Sequence, residues 1–288
     1  MKTIYYKDEL NDEFSSAQIT PRRIDGTYDY SHSSLSRRLA RFFWYKVIAR
    51  PVAWLYLKIR YHHRIINKEV LKAAQENGYY LYANHTCADA DPLIPTMVAY
   101  PKEVYVIVHP NNVSMPVFGH ITPYLGALPL PDDREALKNF LGILKQISVE
   151  EQHVVMIYPE AHIWPYYTKI RPFGDSSFRY PVQFDKPVYC FTNTYQKRRF
   201  GKKPRIVTYV DGPFYADKGL SGKEQKAQLR NQVYETMCRR SGENTVEMIH
   251  YVRADEADGT ESESVSDSQK NAGGKSNTHK QSAGNEEL

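Results

Sequence analysis

Short apolar runs that alternate with longer amphipathic patterns are the feature that most constrains the fold of this chain. Six runs of strand length, rich in Val, Ile, Tyr and Phe, lie at 78–83, 104–108, 127–130, 153–158, 187–193 and 205–210. Helical periodicity is found at 91–100, 134–148 and 222–240. Strands of this length interleaved with helices are typical of an α/β domain. We therefore expect a mixed, largely parallel sheet with flanking helices.

The two ends of the 288-residue chain differ in composition from its middle. Residues 1–33 are polar and mixed in charge without sustained periodicity, and we interpret them as an extended leader. Residues 254–288 contain almost no large apolar side chain, so burial cannot offset the entropy of ordering, and we predict a disordered tail. The α/β domain is then expected over 65–253, preceded by a distinct segment at 34–64.

Residues 34–64 combine many basic residues with Trp, Phe and Leu. The basic residues include Arg37, Arg38, Arg41, Lys46, Arg50, Lys58 and Arg60. The pattern predicts an amphipathic N-terminal helical segment, either one helix or two joined at Pro51. Positive charge beside an apolar face suits a helix that lies in the headgroup layer of a membrane, and the segment is too charged to span one. The alternative is a helix packed on its own domain, with basic side chains reaching water at its edges.

Composition limits the compartment and the function classes. The N-terminal MKTIYYKDEL shows no secretory signal pattern, and three scattered cysteines suit a reducing environment. We therefore expect a peripheral protein on the cytoplasmic face of the cell membrane. The absence of a glycine-rich phosphate loop disfavours kinases and dehydrogenases. Although the net charge is +5, the aromatic content of the basic segment fits lipid better than nucleic acid.

A histidine and two carboxylates follow the first predicted strand, in the stretch NHTCADAD at 84–91. Loops at the carboxyl ends of parallel strands gather at one edge of a sheet, which is where α/β proteins place their sites. His85 is suited to act as a general base, and either Asp89 or Asp91 could orient its ring. Asp91 also precedes Pro92, so the pair could simply be the N-cap and first residue of a helix.

Four segments resemble, in order, the motifs of the glycerolipid acyltransferases, the lysophosphatidic acid acyltransferase family. They are NHTCADAD (84–91), GALPLPDDR (126–134), MIYPEAHIW (156–164) and KIRPFGDSSFRYPVQFDKPVYCF (169–191). The resemblance spans roughly residues 35–215. It implies transfer of a fatty acyl group from acyl-CoA or acyl carrier protein to a lysophospholipid at a bilayer surface. The simplest acceptor is 1-acylglycerol 3-phosphate, which would give phosphatidic acid, and no cofactor or metal is implied.

The resemblance implies that His85 takes the proton from the glycerol hydroxyl, which then attacks the thioester carbonyl. The family's Asp falls five positions after the His, and Ala90 stands there in this chain. Asp89 is one position short and Asp91 one position long. We favour Asp91 over Asp89, because the predicted helix begins after it and a one-residue loop insertion costs little.

The third motif departs further from the family pattern. Pro159 and Glu160 stand in place, but the family's Gly-Thr-Arg is replaced by Ala161, His162 and Ile163. The resemblance assigns that Arg to the acceptor's phosphate, so its loss leaves the acceptor open.

Other residues are expected to bind substrate in its place. Phosphate needs cationic donors, for which Arg134, Lys169 and Arg171 are the expected substitutes, with Arg179 less favoured. Each of these also has an interpretation as a solvated surface charge. Glu160 is expected to orient a loop or bind the acceptor, and Asn84 is expected to complete the substrate-binding set.

Three other functions are compatible with parts of this sequence. Cys87 lies two residues from His85 and invites a thiol nucleophile, but no nucleophile-elbow pattern surrounds it. A metal site built from His85, Asp89 and Asp91 lacks a further His cluster. The main rival is a membrane-surface lipid-binding relative of the same fold that has lost catalysis.

Overall fold

The computed structural model describes residues 2–14, 19–31, 34–116, 118–201 and 203–255. In chain order the strands within these ranges are β1 (Lys2–Tyr6), β2 (Arg64–Ile66), β3 (Tyr79–Ala83), β4 (Val104–Val108), β5 (Ala127–Pro129), β6 (Val154–Ile157), β7 (Val188–Gln196), β8 (Arg205–Phe214) and β9 (Ile249–Arg253). The α-helices are α1 (Leu35–Arg41), α2 (Arg50–Tyr61), α3 (Ile94–Ala99), α4 (Asn111–Ser114), α5 (Arg134–Lys145), α6 (Arg179–Gln183) and α7 (Gly222–Ser241). Wider π-helical segments span Phe42–Ala49 and Gln146–Glu150, and short 3₁₀ helices span Lys68–Ala74, Phe118–His120, Thr122–Leu125 and Ser176–Phe178.

Seven of these strands form one sheet in the order β2-β8-β7-β3-β6-β4-β5. All neighbours are parallel except β7 and β8, which are antiparallel. Every residue of the central strand β3 is buried, because helices cover both faces of a parallel sheet. Side chains alternate along the strand, so Tyr80 and Tyr82 enter one core cluster and Tyr79, Leu81 and Ala83 enter the other. The predicted fold class, a largely parallel mixed sheet with flanking helices, is confirmed.

All six predicted strands are found within a few residues of their expected bounds. The sequence analysis missed β1, β2 and β9. Strand β2 has only three residues, and β1 and β9 leave much of their surface exposed, so none of the three forms a continuous apolar run. Short or solvated strands give a weak periodic signal, which explains the omission.

The helix predicted from residue 91 begins later than expected. Residues 88–93 form turns, and α3 starts at Ile94 with Leu93 as its N-cap. Asp91 therefore does not cap a helix, and that interpretation of the Asp91-Pro92 pair was wrong. Its carboxylate is directed back into the preceding loop instead, as the site geometry below shows.

The segment before the sheet is one unbroken helix, which we call the front helix: α1, the π-helical segment Phe42–Ala49, and α2 follow one another directly. Pro51 lies in the first turn of α2 and offers no backbone N–H. The wider π-helical pairing just before it, in which the Arg50 N–H bonds to the Tyr45 carbonyl, lets the helix continue past the proline. Of the two predicted forms, one helix or two joined at Pro51, the structure has the single helix.

Polar groups fasten the front helix to the domain. Buried Arg41 pairs with Glu103 at 2.9 Å, and the Tyr45 hydroxyl accepts the Val104 N–H at 2.9 Å. Arg50 donates to the backbone carbonyl of Lys102 at 2.6 Å. Arg41 and Arg50 thus face the protein, whereas the basic residues of this segment were expected to meet lipid headgroups or, in the alternative, water.

The opposite side of the front helix is apolar and exposed. We call this side the outer face; its residues are Leu35, Leu39, Phe42, Phe43, Val47, Ile48, Val52, Trp54, Leu55 and Ile59. Contiguous apolar patches of this kind are rare on soluble monomers and mark an interaction surface. None of the helices in the described ranges is long and apolar enough to cross a membrane.

The leader packs on the domain. Strand β1 pairs in parallel with β9, at the other end of the described chain. Tyr6 and Phe14 contact the ring of Trp164 with centroid distances of 4.9 and 5.2 Å, and Ile24 and Tyr30 are buried in the main core. The predicted disordered tail, apart from Ala254 and Asp255, lies outside the described residues.

Candidate active site

His85 lies at the carboxyl end of β3, in the middle of the sheet. Its Nδ1 atom is 2.8 Å from Oδ2 of Asp91. The imidazole is 21% exposed and the Asp91 carboxylate is fully buried. The edge of the sheet therefore presents a partly open histidine ring that is held from behind by a buried acid.

Backbone groups in the same loop fix the Asp91 carboxylate. Oδ2 accepts the N–H groups of Thr86 and Cys87, both at 2.9 Å, in addition to the His85 ring. A carboxylate oxygen with two backbone donors is an acceptor, so the Nδ1 atom of His85 bears the proton and its Nε2 atom is left as a base. The loop thus sets the tautomer that proton abstraction requires.

Tyr158 packs against one face of the histidine ring. The two rings stack with centroids 4.3 Å apart, and the Tyr158 hydroxyl donates to the Asp91 backbone carbonyl at 2.6 Å. Tyr158 follows β6, the strand next to β3. Two adjacent strand ends therefore hold the imidazole in place.

Asp89, the alternative partner, turns away from His85. Its carboxylate accepts the hydroxyls of Tyr56 at 2.6 Å and Tyr61 at 2.7 Å, both on α2, and the Cys87 thiol at 3.2 Å. Burial raises the pKa of Asp89, but these hydrogen bonds outweigh it and hold that pKa below its ordinary value. Asp89 joins the front helix to the loop, while Asp91 contacts the histidine.

The Cys87 thiol is poorly suited to be a nucleophile. It is buried and donates to Asp89. Burial, together with the nearby Asp91 and Asp89 charges, raises the pKa of Cys87 well above its usual range. Thiolates are the reactive form, so this geometry disfavours thiol chemistry. Within the described ranges, no group of three or more His, Cys, Asp and Glu is arranged to hold a metal ion.

Buried Glu160 contacts the backbone of His85. Its Oε2 accepts the His85 N–H at 3.3 Å and is 3.6 Å from Nε of Arg171. Burial raises the pKa of Glu160 to about 7, although the charge of Arg171 opposes the rise. Glu160 thus orients the loop of His85, one of the two roles expected for it.

Arg171 is buried, which corrects its interpretation as a solvated charge. It donates to the carbonyls of Glu160 at 2.9 Å and Glu9 at 3.1 Å and also to that of His162, while its guanidinium lies 5.0 Å from the Trp164 ring centroid. These contacts occupy the side chain inside the protein. Its expected contact with a substrate phosphate gains no support from this geometry.

The remaining predicted cations are exposed. Arg134 is the first residue of α5, and Lys169 and Arg179 follow in the long loop after β6 and at the start of α6. Arg179 lies against Tyr180. His162 is 3.6 Å from Glu13 of the leader, and no contact joins it to His85 in the described part of the chain. Arg134 and Lys169 stay as predicted phosphate ligands.

Asn84 and Asn193 fasten β3 to β7. The Asn84 side chain donates to the Asn193 carbonyl at 3.0 Å and accepts the Asn193 N–H at 2.8 Å. Buried Asn84 therefore positions the strand end before His85, and direct contact with substrate stays a prediction that this geometry does not support. Asn193, whose side chain faces Asp91, was not predicted from the sequence, because an asparagine inside a strand has no distinctive spacing.

The comparison with protein families agrees with the motifs of this loop. Residues 62–193 match the family model described as Acyltransferase, and the predicted resemblance is confirmed. All the predicted site residues lie within this range.

A solved structure is similar over most of the chain. It is the crystal structure of the 1-acyl-sn-glycerophosphate (LPA) acyltransferase, PlsC, from Thermotoga maritima, with a TM-score of 0.54 and 19% sequence identity over 73% of this chain and 83% of that chain. This likeness shows the fold. No curated protein is significantly similar to the chain in sequence.

Proposed function

We propose that this protein transfers a fatty acyl group from a thioester, acyl-CoA or acyl carrier protein, to the hydroxyl of a lysophospholipid. The proposed acceptor is 1-acylglycerol 3-phosphate and the product phosphatidic acid. The observation that supports this most directly is the 2.8 Å contact between Nδ1 of His85 and the buried Asp91 carboxylate. The acyltransferase domain and the fold of the Thermotoga maritima enzyme agree with it.

The proposed mechanism begins with the Nε2 atom of His85. Asp91 holds the proton on Nδ1, so Nε2 accepts the proton of the acceptor hydroxyl as its oxygen attacks the thioester carbonyl. The buried carboxylate stabilises the imidazolium that forms. When the tetrahedral intermediate collapses, the C–S bond breaks and the imidazolium returns the proton to the leaving thiolate. No acyl-enzyme and no cofactor is required.

Recognition of the acceptor's phosphate is assigned to Arg134 and Lys169. Both are exposed cations on segments that follow sheet strands at their carboxyl ends, the edge where His85 lies. Phosphate oxygens favour such donors, and Arg can bind two of them at once.

The proposed location is the cytoplasmic face of a membrane, with the outer face of the front helix in the lipid headgroup layer. The exposed apolar residues would enter the acyl boundary, and neighbouring Arg38 and Lys58 would meet anionic lipid. A protein fastened there could take a lysolipid directly from the bilayer.

Purified protein in mixed micelles tests the proposal. Acyl-CoA and acyl carrier protein thioesters would be offered with lysophosphatidic acid and with lysolipids of other head groups, and product formation measured. We expect turnover that falls by about 100-fold or more in His85→Ala. His62→Ala, a change at an exposed histidine outside the site, is the matched control and should keep wild-type activity.

The rival function, a lipid-binding relative without turnover, predicts a different outcome. Vesicle binding would persist while no donor and acceptor pair gave product above the His85→Ala level. Equal activity in wild type and His85→Ala would also end the enzyme proposal.

A further inference from the structure

A chain of buried polar groups runs from Asp91 away from the active site. Oδ1 of Asp91, the oxygen that does not contact His85, lies 3.4 Å from Nδ2 of Asn193. Within the part of the chain that the structure describes, this amide is the one donor found on Oδ1. Asn193 Oδ1 in turn accepts the Thr208 hydroxyl at 2.6 Å, and Thr208 Oγ1 is 2.8 Å from Nε2 of His63.

The direction of each hydrogen bond in this chain follows from chemistry. A carboxylate only accepts, so Asn193 must present its NH₂ group to Asp91 and its carbonyl oxygen to Thr208. The single Thr208 proton is then used on Asn193, and the Thr208 oxygen accepts from His63. Burial lowers the pKa of His63 to about 4, so the ring is neutral with its proton on Nε2. All the donors point toward Asp91.

Backbone contacts hold this chain rigidly. Asn193 and Thr208 face each other across the antiparallel β7–β8 pair, and the Asn193 backbone is fixed by Asn84. His63 lies just past the end of α2, with its N–H on the Leu57 carbonyl. Buried polar groups that are all satisfied rigidify a site.

We propose that Asn193, oriented by Thr208 and His63, is a positioning residue that fixes the second oxygen of Asp91 and so the ring of His85. This inference rests on the proposed function, in which Asp91 orients the base. Without the Asn193 donor, Oδ1 of Asp91 loses its hydrogen bond, so the buried charge is less stabilised and the carboxylate can tilt about Oδ2. The Nδ1–H contact then loses its fixed geometry.

Other ionisable groups also face the dyad. Glu160 accepts from the His85 backbone, Tyr158 stacks on the ring, and the Cys87 N–H donates to Asp91. Asp89 adds a carboxylate two positions from Asp91. The test therefore changes Asn193 and Thr208 and leaves these four residues intact.

The experiment combines kinetics with an NMR titration of the His85 ring in the full chain. Asn193→Leu removes the donor at similar volume and adds no ionisable group, so the Asp91 charge is less shared and favours the imidazolium. We expect the His85 pKa to rise by about half a unit or more and the acidic limb of the kcat profile to move to higher pH. The value of kcat should fall about 10-fold or more, with KM changed less than about two-fold.

Thr208 provides a milder pair of variants. Thr208→Val keeps the side-chain shape but removes the hydroxyl that orients the Asn193 amide. We expect the changes in kcat and in the His85 pKa to be smaller than those caused by the Asn193 substitution. Thr208→Ser keeps the hydroxyl and should restore both. Thr194→Val is the matched control, because buried Thr194, next to Asn193 on β7, donates to the Val207 carbonyl and does not contact Asp91.

A merely structural role would lower the melting temperature in all variants and leave the His85 pKa unchanged. The inference is overturned if folded Asn193→Leu and Thr208→Val titrate like Thr194→Val. The NMR titration follows the His85 ring and does not depend on turnover. If the wild type were inactive, the proposed function would be refuted, but the titration would still show whether Asn193 positions Asp91 and His85.

Discussion

The hydroxyl of Tyr61 lies 2.7 Å from Oδ1 of Asp89, so the last residue of the front helix is bonded to the loop that contains His85. Tyr56, one turn earlier on the same helix, donates to the other oxygen of that carboxylate. Two carboxylates separated by one residue therefore have different roles. Asp89 joins the helix to the loop, and Asp91 supports the histidine.

This division of roles predicts different kinetic effects for two matched substitutions. Asp91→Asn should lower kcat by about 100-fold or more, because the His85 tautomer is no longer fixed by a charged acceptor. Asp89→Asn should leave kcat within about five-fold, since no contact joins Asp89 to the ring, but should lower the melting temperature through weaker bonds to Tyr56 and Tyr61. Initial rates and thermal unfolding of both variants decide the matter. The reverse ranking of rates would show that Asp89 is the functional acid.

The Arg41–Glu103 pair should stabilise the docked front helix. Both side chains are largely buried, and Glu103→Gln would leave the Arg41 charge without its counter-ion. Loss of one partner of a buried pair costs about 3 kcal/mol in free energy of unfolding. Lys46, which binds the other oxygen of Glu103 but is 40% exposed, gives the control: Lys46→Gln should cost less than about 1 kcal/mol. Urea unfolding measures both, and equal effects would contradict the assigned roles.

His63 should make stability sensitive to acid. Its folded pKa, about 4, lies below its ordinary value of 6.5 because of burial, so the unfolded chain binds a proton first as pH falls. The stability from His63 is complete above about pH 6.5 and is lost between pH 6.5 and 4, by about 3 kcal/mol in total.

Unfolding free energies at several pH values in this window measure the effect. His63→Gln should show a shallower fall than wild type, while His62→Gln, at the exposed neighbour, should follow the wild-type slope. Parallel curves for all three proteins would show that the His63 ring does not titrate in this way.

The outer face of the front helix should bind lipid. Val47→Asp and Trp54→Asp each put a charge where an apolar group would leave water, so binding to anionic vesicles should weaken about 10-fold or more. Phe200→Asp, at a 79% exposed aromatic outside this helix, should bind as the wild type does. Co-sedimentation with vesicles provides the measurement. Unchanged binding of the two helix variants would remove the bilayer from the proposal.

The parts of the fold that could be predicted are those in which local pattern and global packing agree. The runs that became β3, β4, β6, β7 and β8 are continuous and apolar because both faces of the sheet are covered. Strands β1 and β9 are half-solvated and depend on each other across the length of the chain, a relationship without a local signal. Which face of the front helix packs on the domain also could not be predicted from the sequence, because it depends on buried partners such as Glu103.

The site was predictable in residue type and less so in geometry. The spacing of Asn-His and two acids placed His85 correctly at a strand end, but only the turn at 88–93 decides which acid returns to the ring. Arg171 looked like any basic loop residue, and its burial follows from its contacts with the nearby Trp164 ring and with Glu9, 162 residues earlier in the chain. The position of Asn193 beside Asp91 depends on the pairing of β7 with β3 and β8.

The leader, held by the parallel pairing of β1 with β9, supports the loop that follows His85. The Trp164 indole N–H donates to the Asp12 carbonyl at 2.8 Å, and the Trp164 backbone N–H donates to the His85 carbonyl at 3.2 Å. One aromatic residue therefore connects the leader to the loop of His85. Trimming the first dozen residues, or fusing a bulky tag against them, would therefore disturb the enzyme's interior. Expression designs for this protein should leave that end unaltered.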